Sequence, residues 1–265
     1  MTQSGMVSKM VTKLNNPIEY SLRLGDNVIN MNGLLGEKVK LTWLNEIRCL
    51  SCGKVTQKSF AQGFCYSCFI SIPETESCVL NPEMCRAHEG IARDMDWARE
   101  HCLQDHIVYL ALSSEVKVGV TRQSQVPTRW IDQGASKAIK LARTPNRYLA
   151  GVIEVELKKH LTDKTNWRSM LLNKIANHVS LVEEKKRIAT LLSQGLKDYV
   201  TDDDTIIDLT FPLLSIPQKI TSIDLEKNQY IEGTLNGIKG QYLIFDGGNV
   251  VNIRKYGGYI MELNF

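Results

Sequence analysis

Apolar and polar residues alternate over Ile18-Glu-Tyr-Ser-Leu-Arg-Leu24 and again over Val39-Lys-Leu-Thr-Trp43, the period-two pattern of half-buried strands. A Gly25-Asp26 turn, a short run from Val28 to Met31 and a Gly33/Gly36 break lie between them, so residues 18 to 47 predict a β-rich segment. Pro73 and Pro82 mark an irregular stretch, and Ile91 to His101 predicts a short helix. Val108-Tyr-Leu-Ala-Leu112 and Lys117-Val-Gly-Val-Thr121 flank Ser113-Ser114-Glu115 and predict a hairpin. Beyond it the spacing lengthens. Trp130, Ile131, Ala135, Ala138, Ile139 and Ala142 predict a helix over Thr128 to Leu141, and a second helix is expected from Leu149 to Leu161, ending before Thr162-Asp163. A long amphipathic stretch from Asn166 to Tyr199 carries the charged run Glu183 to Arg187 on a solvated face. Thr201-Asp-Asp-Asp204 reads as a linker. Five strands are then expected, over Ser222 to Leu225, Tyr230 to Leu235, Gln241 to Phe245, Val250 to Arg254 and Tyr259 to Leu263, most of them separated by glycine turns, as in a small twisted sheet or barrel.

This succession predicts an α+β protein in four segments: an N-terminal β segment (1–47), a cysteine-rich region (48–105), an α/β core with a helical arm (106–200) and a C-terminal β module (201–265). At 43% hydrophobic and 23% charged residues the composition excludes wholesale disorder. No run of eighteen apolar residues is present, so no membrane-spanning helix is expected. The polar Met1 to Asn16 lacks the pattern of a secretory signal, which makes a reducing cytoplasm the expected compartment.

The seven cysteines all fall between positions 49 and 102. Cys49-Leu-Ser-Cys52 and Cys65-Tyr-Ser-Cys68 are two C-x2-C pairs twelve residues apart, the spacing that aims four thiolates at one structural zinc ion. Gly53 and Gly63 beside them supply backbone freedom for tight turns. Cys78, Cys85, His88 and Cys102 form a looser group. Cys85-Arg-Ala-His88 has ligand spacing, so a second zinc site competes with buried free thiols, and His101 and His106 leave the choice of histidine open.

Net charge is only +3, yet Lys117 to His178 holds 12 Lys and Arg against 4 Asp and Glu, a local +8 that leaves −5 elsewhere. Such a basic middle fits contact with phosphates, and equally a solvated helical face. Arg122, Arg129, Trp130, Lys137 and Lys140 lie close together, an aromatic among cations that suits nucleic acid if Trp130 is not simply core. In the last segment Lys239, Arg254, Lys255, Tyr256 and Tyr259 offer a second binding face or ordinary exposed strand positions.

The order hairpin, helix, helix resembles the GIY-YIG nuclease superfamily over roughly 106 to 170, with Ile107-Val108-Tyr109 as the first motif and Lys117-Val118-Gly119 as the second. Arg129 falls where that resemblance places a helical arginine. Glu154 to Asn166 resembles the glutamate-to-asparagine segment in the nuclease domain of the bacterial excision-repair endonuclease. The resemblance implies Mg²⁺ on Glu154, phosphate binding by Arg129, proton relay or nucleophile activation by Tyr109, and positioning of Glu154 or a water by Asn166. Lys117 replaces the second-motif tyrosine and Ile107 the first glycine; an ammonium can bind phosphate but cannot simply substitute for a phenol in proton transfer. More narrowly, Pro127-Thr-Arg-Trp-Ile-Asp-Gln-Gly-Ala135 with cysteine pairs upstream resembles a bacterial family carrying only a domain-of-unknown-function label. The resulting expectation is a metal-dependent endonuclease or nucleic-acid-processing protein acting on DNA or RNA. Its alternative is an inactive GIY-YIG-like nucleic-acid binder.

Overall fold

The computed structural model describes residues 1–161, 166–176 and 179–265. In chain order the first elements are β1 (Thr2–Met6), β2 (Val11–Lys13), β3 (Glu19–Leu24), β4 (Asn27–Asn30), β5 (Lys38–Ile47) and α1 (Tyr66–Ser71). Next come α2 (Met95–His101), β6 (His106–Leu112), β7 (Val116–Arg122), α3 (Thr128–Asp132), β8 (Lys137–Thr144) and α4 (Arg147–Leu157). They are followed by α5 (Trp167–Leu171), α6 (Leu181–Thr190), α7 (Gln194–Lys197) and β9 (Ile206–Asp208). The last are β10 (Thr221–Ser222), α8 (Leu225–Asn228), β11 (Tyr230–Lys239), β12 (Tyr242–Phe245), β13 (Asn249–Asn252) and β14 (Tyr259–Asn264). The protein is therefore α+β, with several sheets. None of the described helices is long and apolar enough to cross a membrane.

Two compact units emerge. Unit 1 joins Met1–Ile70 to Leu209–Phe265, and unit 2 is Ser71–Asp208. The first and last sequence segments thus meet in one unit, which also takes in the cysteine quartet. Its seven-stranded sheet has the order β1-β14-β5-β11-β12-β13-β10, antiparallel except for the β10/β13 edge, and a separate three-stranded sheet is ordered β2-β3-β4. The alternation read from the sequence decides which side chains go inside. Tyr20, Leu22 and Leu24 of β3 and Tyr259, Met261 and Leu263 of β14 are buried while their neighbours are not. Gly25, at φ +60°, opens the two-residue turn between β3 and β4.

Unit 2 is built on a four-stranded antiparallel sheet, β7-β6-β8-β9. Every residue of β6 is buried, because the strand is central and covered on both faces. On one face Val108, Leu110, Leu112, Val118, Ile139 and Leu141 pack with Ala150, Ile153 and Leu157 of α4 and with Leu181 and Ile188 of α6. Each such side chain removed from water contributes about 1.5–3 kcal/mol. Asn146 starts α4 by accepting the Leu149 amide at 3.0 Å.

Three expectations are corrected. The helix predicted over Thr128 to Leu141 stops at Asp132, Gly134 takes φ +68°, and residues 137–144 form strand β8 between β6 and β9. An interior strand buried on both faces reads as a near-continuous apolar run, and here that run mimicked helical spacing. The strand expected over Val250 to Arg254 ends at Asn252, and Ile253–Tyr256 form a 3-10 turn. The segment expected as a strand to Leu225 shortens to β10, because the Asp224 side chain caps α8 by accepting the Glu226 amide. The helix end expected at Thr162-Asp163 lies outside the described residues.

Candidate active site and metal centres

Tyr109 points from β6 to the face opposite the α4 core, directly across from Gly119 on β7. A Cβ on Gly119 would stand 2.6 Å from the Tyr109 hydroxyl, so the ring fits only over a glycine. Trp130 packs beside it, with ring centroids 5.7 Å apart. The hydroxyl donates to Gln133 Oε1 at 2.9 Å. Burial pushes the phenol up to about 12, with the Glu154 carboxylate adding to that shift and the Arg129 guanidinium opposing it. Arg129 of α3 and Glu154 of α4 therefore each lie within electrostatic reach of Tyr109 on β6. Lys117 is buried opposite Ala111, two residues from Gly119, and so belongs to the same sheet face as Tyr109. Glu154 is 7% exposed, and Lys158, one turn on along α4, brings its ammonium to 3.4 Å. Asn166 is exposed and caps α5, accepting the Ser169 amide at 3.1 Å. The rest of the Glu154-to-Asn166 segment includes residues 162–165, outside the described residues.

The expected nucleic-acid-binding residues fall in both units, Arg122, Lys137 and Lys140 in unit 2 and Lys239 and Arg254 in unit 1. Lys137 pairs with Asp208 at 3.1 Å and Lys140 with Asp203 at 3.2 Å. Unit 2 as a whole carries 19 Lys and Arg against 20 Asp and Glu, so the local +8 is cancelled by acidic residues outside that window. Arg122 sits at the far end of β7, where Arg147 and Cys102 are its electrostatic neighbours. Trp130 is core. In unit 1, Lys239 is 1% exposed with its ammonium 5.3 Å from the Phe211 ring centroid, and burial lowers it to about 8. Tyr256 and Tyr259 are buried, Lys255 binds Asp224, and Arg254 donates to Gln62 at 2.8 Å. Arg254, Lys255 and Tyr256 lie in the 3-10 turn Ile253–Tyr256 rather than on a strand, so strand alternation could not have placed them.

The cysteine quartet is assembled. Cys49, Cys52, Cys65 and Cys68 bring their sulfurs within 4.8 Å of one another, so the group can hold a metal ion. The Cys52 and Cys65 sulfurs are 3.8 Å apart, which is about the edge of a tetrahedron with 2.3 Å zinc–thiolate bonds. Gly53, at φ +72°, closes the first turn by donating to the Cys49 carbonyl at 2.9 Å. The second pair brackets the start of α1. Burial acts to raise the Cys49 thiol, but the amides of Cys52, Cys65 and Ser51 outweigh it and bring it to about 6, as suits a thiolate ligand.

The looser group contributes three of its four expected members. Cys78, Cys85 and Cys102 are buried with their sulfurs within 4.8 Å of one another, and this group too can hold a metal ion. Cys85 is drawn down to about 3 by hydrogen bonds from Cys102 and Cys78, whereas Cys102 is pushed up by Cys78 and Cys85. His88 stands apart, stacked on Tyr148 with ring centroids 4.4 Å apart. His101 hydrogen-bonds the Trp97 carbonyl, and His106 the Gln104 carbonyl. All seven cysteines are free of disulfides.

Residues 36–261 match the family described as Protein of unknown function (DUF2797). The chain belongs to that family. Its match spans the cysteine quartet, the Tyr109 site and the large sheet except β1 and the end of β14, so the DUF2797 region draws on both units. No curated protein and no solved structure matches this DUF2797 chain. Sequence reasoning missed two residues of these sites. Gln133 follows Arg129 by one helical turn, a spacing that could have pointed to it. Arg147, beside the cysteine triad, carries no such signal.

Proposed function

We propose that this DUF2797 protein is a metal-dependent, nucleic-acid-processing enzyme that hydrolyses phosphodiester bonds at the Tyr109–Arg129–Glu154 site. The approach of Arg129 and Glu154 to Tyr109, from α3 and α4, carries the reading. They come in the order that the GIY-YIG resemblance implies, a hairpin with Tyr109, a helix with Arg129 and a later helix with Glu154, with β8 between the two helices. Glu154 would hold Mg²⁺, which prefers one or two carboxylates plus waters, and Lys158 would have to yield its place beside the carboxylate. When bound, that ion would polarise the phosphate oxygens. Half-buried Arg129 is suited to a bidentate grip on the same phosphate. Tyr109, with a phenol near 12, keeps its proton at neutral pH, so it orients by donating a hydrogen bond rather than acting as a base. The cysteine quartet would hold structural zinc, having four thiolates and no open position. Seven unpaired thiols fit a cytoplasmic location.

A second reading, binding of DNA or RNA without cleavage, draws support from the same protonated tyrosine and from Lys117 at the second-motif position. The deciding experiment incubates folded protein with a panel of DNA and RNA substrates and Mg²⁺ or Mn²⁺, wild type beside Glu154→Gln. Cleavage lost in the variant supports the nuclease. Salt-sensitive binding with no cleavage by either protein supports the binder. Equal cleavage by both removes Glu154 from the mechanism.

A further inference from the structure

We infer that Cys78, Cys85 and Cys102 hold a second thiol-seeking divalent metal ion as a net-anionic trithiolate complex, with Arg147 as its buried counter-charge and a non-protein donor such as water in the fourth position. Two successive turns and a helix end deliver the sulfurs: a turn over Ser77–Val79, the residue after the Pro82–Met84 turn, and the C-cap of α2. Buried thiols alone pack acceptably as small apolar groups, so proximity does not decide the matter. Arg147 does.

Its side chain is 8% exposed. Nη1 lies 3.5 Å from Cys78 Sγ, Nη2 donates to the His101 carbonyl at 3.2 Å, and the guanidinium lies 5.7 Å from the Trp97 ring centroid. None of these partners is a carboxylate, and a guanidinium withdrawn from water without an anion is costly. Three thiolates on a dication carry a net charge of −1, which supplies the missing partner. Half-buried Arg122 adds positive potential beside Cys102. Among the described residues no histidine nitrogen or carboxylate joins the three sulfurs within 4.8 Å, and this leaves the fourth corner to a non-protein donor. With the quartet, the triad accounts for all seven cysteines.

The triad also braces the helix that carries Glu154. A Cβ on Gly151 of α4 would stand 2.1 Å from the Glu83 backbone nitrogen, so the Cys78–Cys85 loop lies tightly against α4. Arg147 is the first residue of that helix.

The test titrates the full-length reduced protein with Co²⁺, reading the thiolate-to-cobalt charge-transfer band alongside metal per chain by native mass spectrometry. Wild type should bind two ions and show the intensity of seven thiolates. Cys102→Ser should bind one ion with four thiolates, and His88→Ala should keep two and seven. Arg147→Met should weaken the second ion by about tenfold or more against a competing chelator, with Arg147→Lys in between. One ion and four thiolates in wild type would overturn the inference, and so would loss of one ion in His88→Ala. If Cys102→Ser fails to fold, alkylation of the wild type decides: seven metal-protected thiols support the second site and four refute it.

Discussion

Gly119→Ala tests the packing on which the candidate active site depends. The added methyl would stand 2.6 Å from the Tyr109 hydroxyl and 2.7 Å from Cζ, below any ordinary contact. The ring cannot give way freely, because Tyr109 is fully buried between its strand neighbours and Trp130. Overpacking of this kind costs about 1–3 kcal/mol, and displacing the hydroxyl from Gln133 adds about 1 kcal/mol. Alanine recovers about 0.5–1 kcal/mol of the strand propensity that glycine lacks. The balance is a net destabilisation of unit 2 by about 1–3 kcal/mol. Trp97, Trp130 and Trp167 lie in unit 2 and only Trp43 in unit 1, so urea unfolding followed by tryptophan fluorescence reports mainly on the affected unit. Tyr109→Phe removes the nearer contact but leaves the Cζ clash, so the double variant should cost less than the sum of the two single changes. A Gly119→Ala protein within about 0.5 kcal/mol of wild type, or strictly additive effects, would refute this geometry.

Lys239 is lowered by burial from 10.5 to about 8, so between those values the unfolded chain binds a proton that the folded chain does not. Stability should therefore rise with pH across that window, by up to about 3 kcal/mol, and Lys239→Met should flatten the rise in pH-dependent urea melts. Gly151→Ala should separate the Glu83 turn from α4, lowering the melting temperature and, if Glu154 is catalytic, the cleavage rate in the same preparation. Cys52→Ser should bind one metal ion fewer than wild type and lose thermal stability that added zinc does not restore, as read by metal analysis and calorimetry.

How far the sequence leads depends on the range of the interaction. The β3–β4 hairpin, β5, the β6–β7 hairpin and β11 to β14 were legible because alternation and turn glycines are local signals. The cysteine quartet was legible because tetrahedral coordination forces a short spacing within each pair. Strand β8 was not, since its apolar positions fit a helix until one knows that both of its faces are covered. The cancelling of the basic stretch was hidden as well, because Asp203 and Asp208 lie more than sixty residues from Lys140 and Lys137. Tyr109, Arg129 and Glu154 could be named in order from a motif resemblance. That Arg129 and Glu154 both come near Tyr109 is a non-local fact. Lys239 misled because a lysine on a strand is ordinarily solvated, whereas this one is buried with its ammonium near the Phe211 ring.

Strand β14 lies between β1 and β5 in the large sheet, and all of unit 2 separates β5 from it in the chain. On the ribosome, β1 and β5 therefore emerge with the strand that joins them still about 200 residues from synthesis. At roughly 5–20 residues per second that gap lasts about 10–40 s. Unit 2 has its own sheet and core and can close during this interval. The early strands of unit 1 meanwhile present open hydrogen-bonding edges to the crowded surroundings. Yield of this protein in cells should therefore respond to translation speed and holding chaperones through its first seventy residues, even where the finished fold is unchanged.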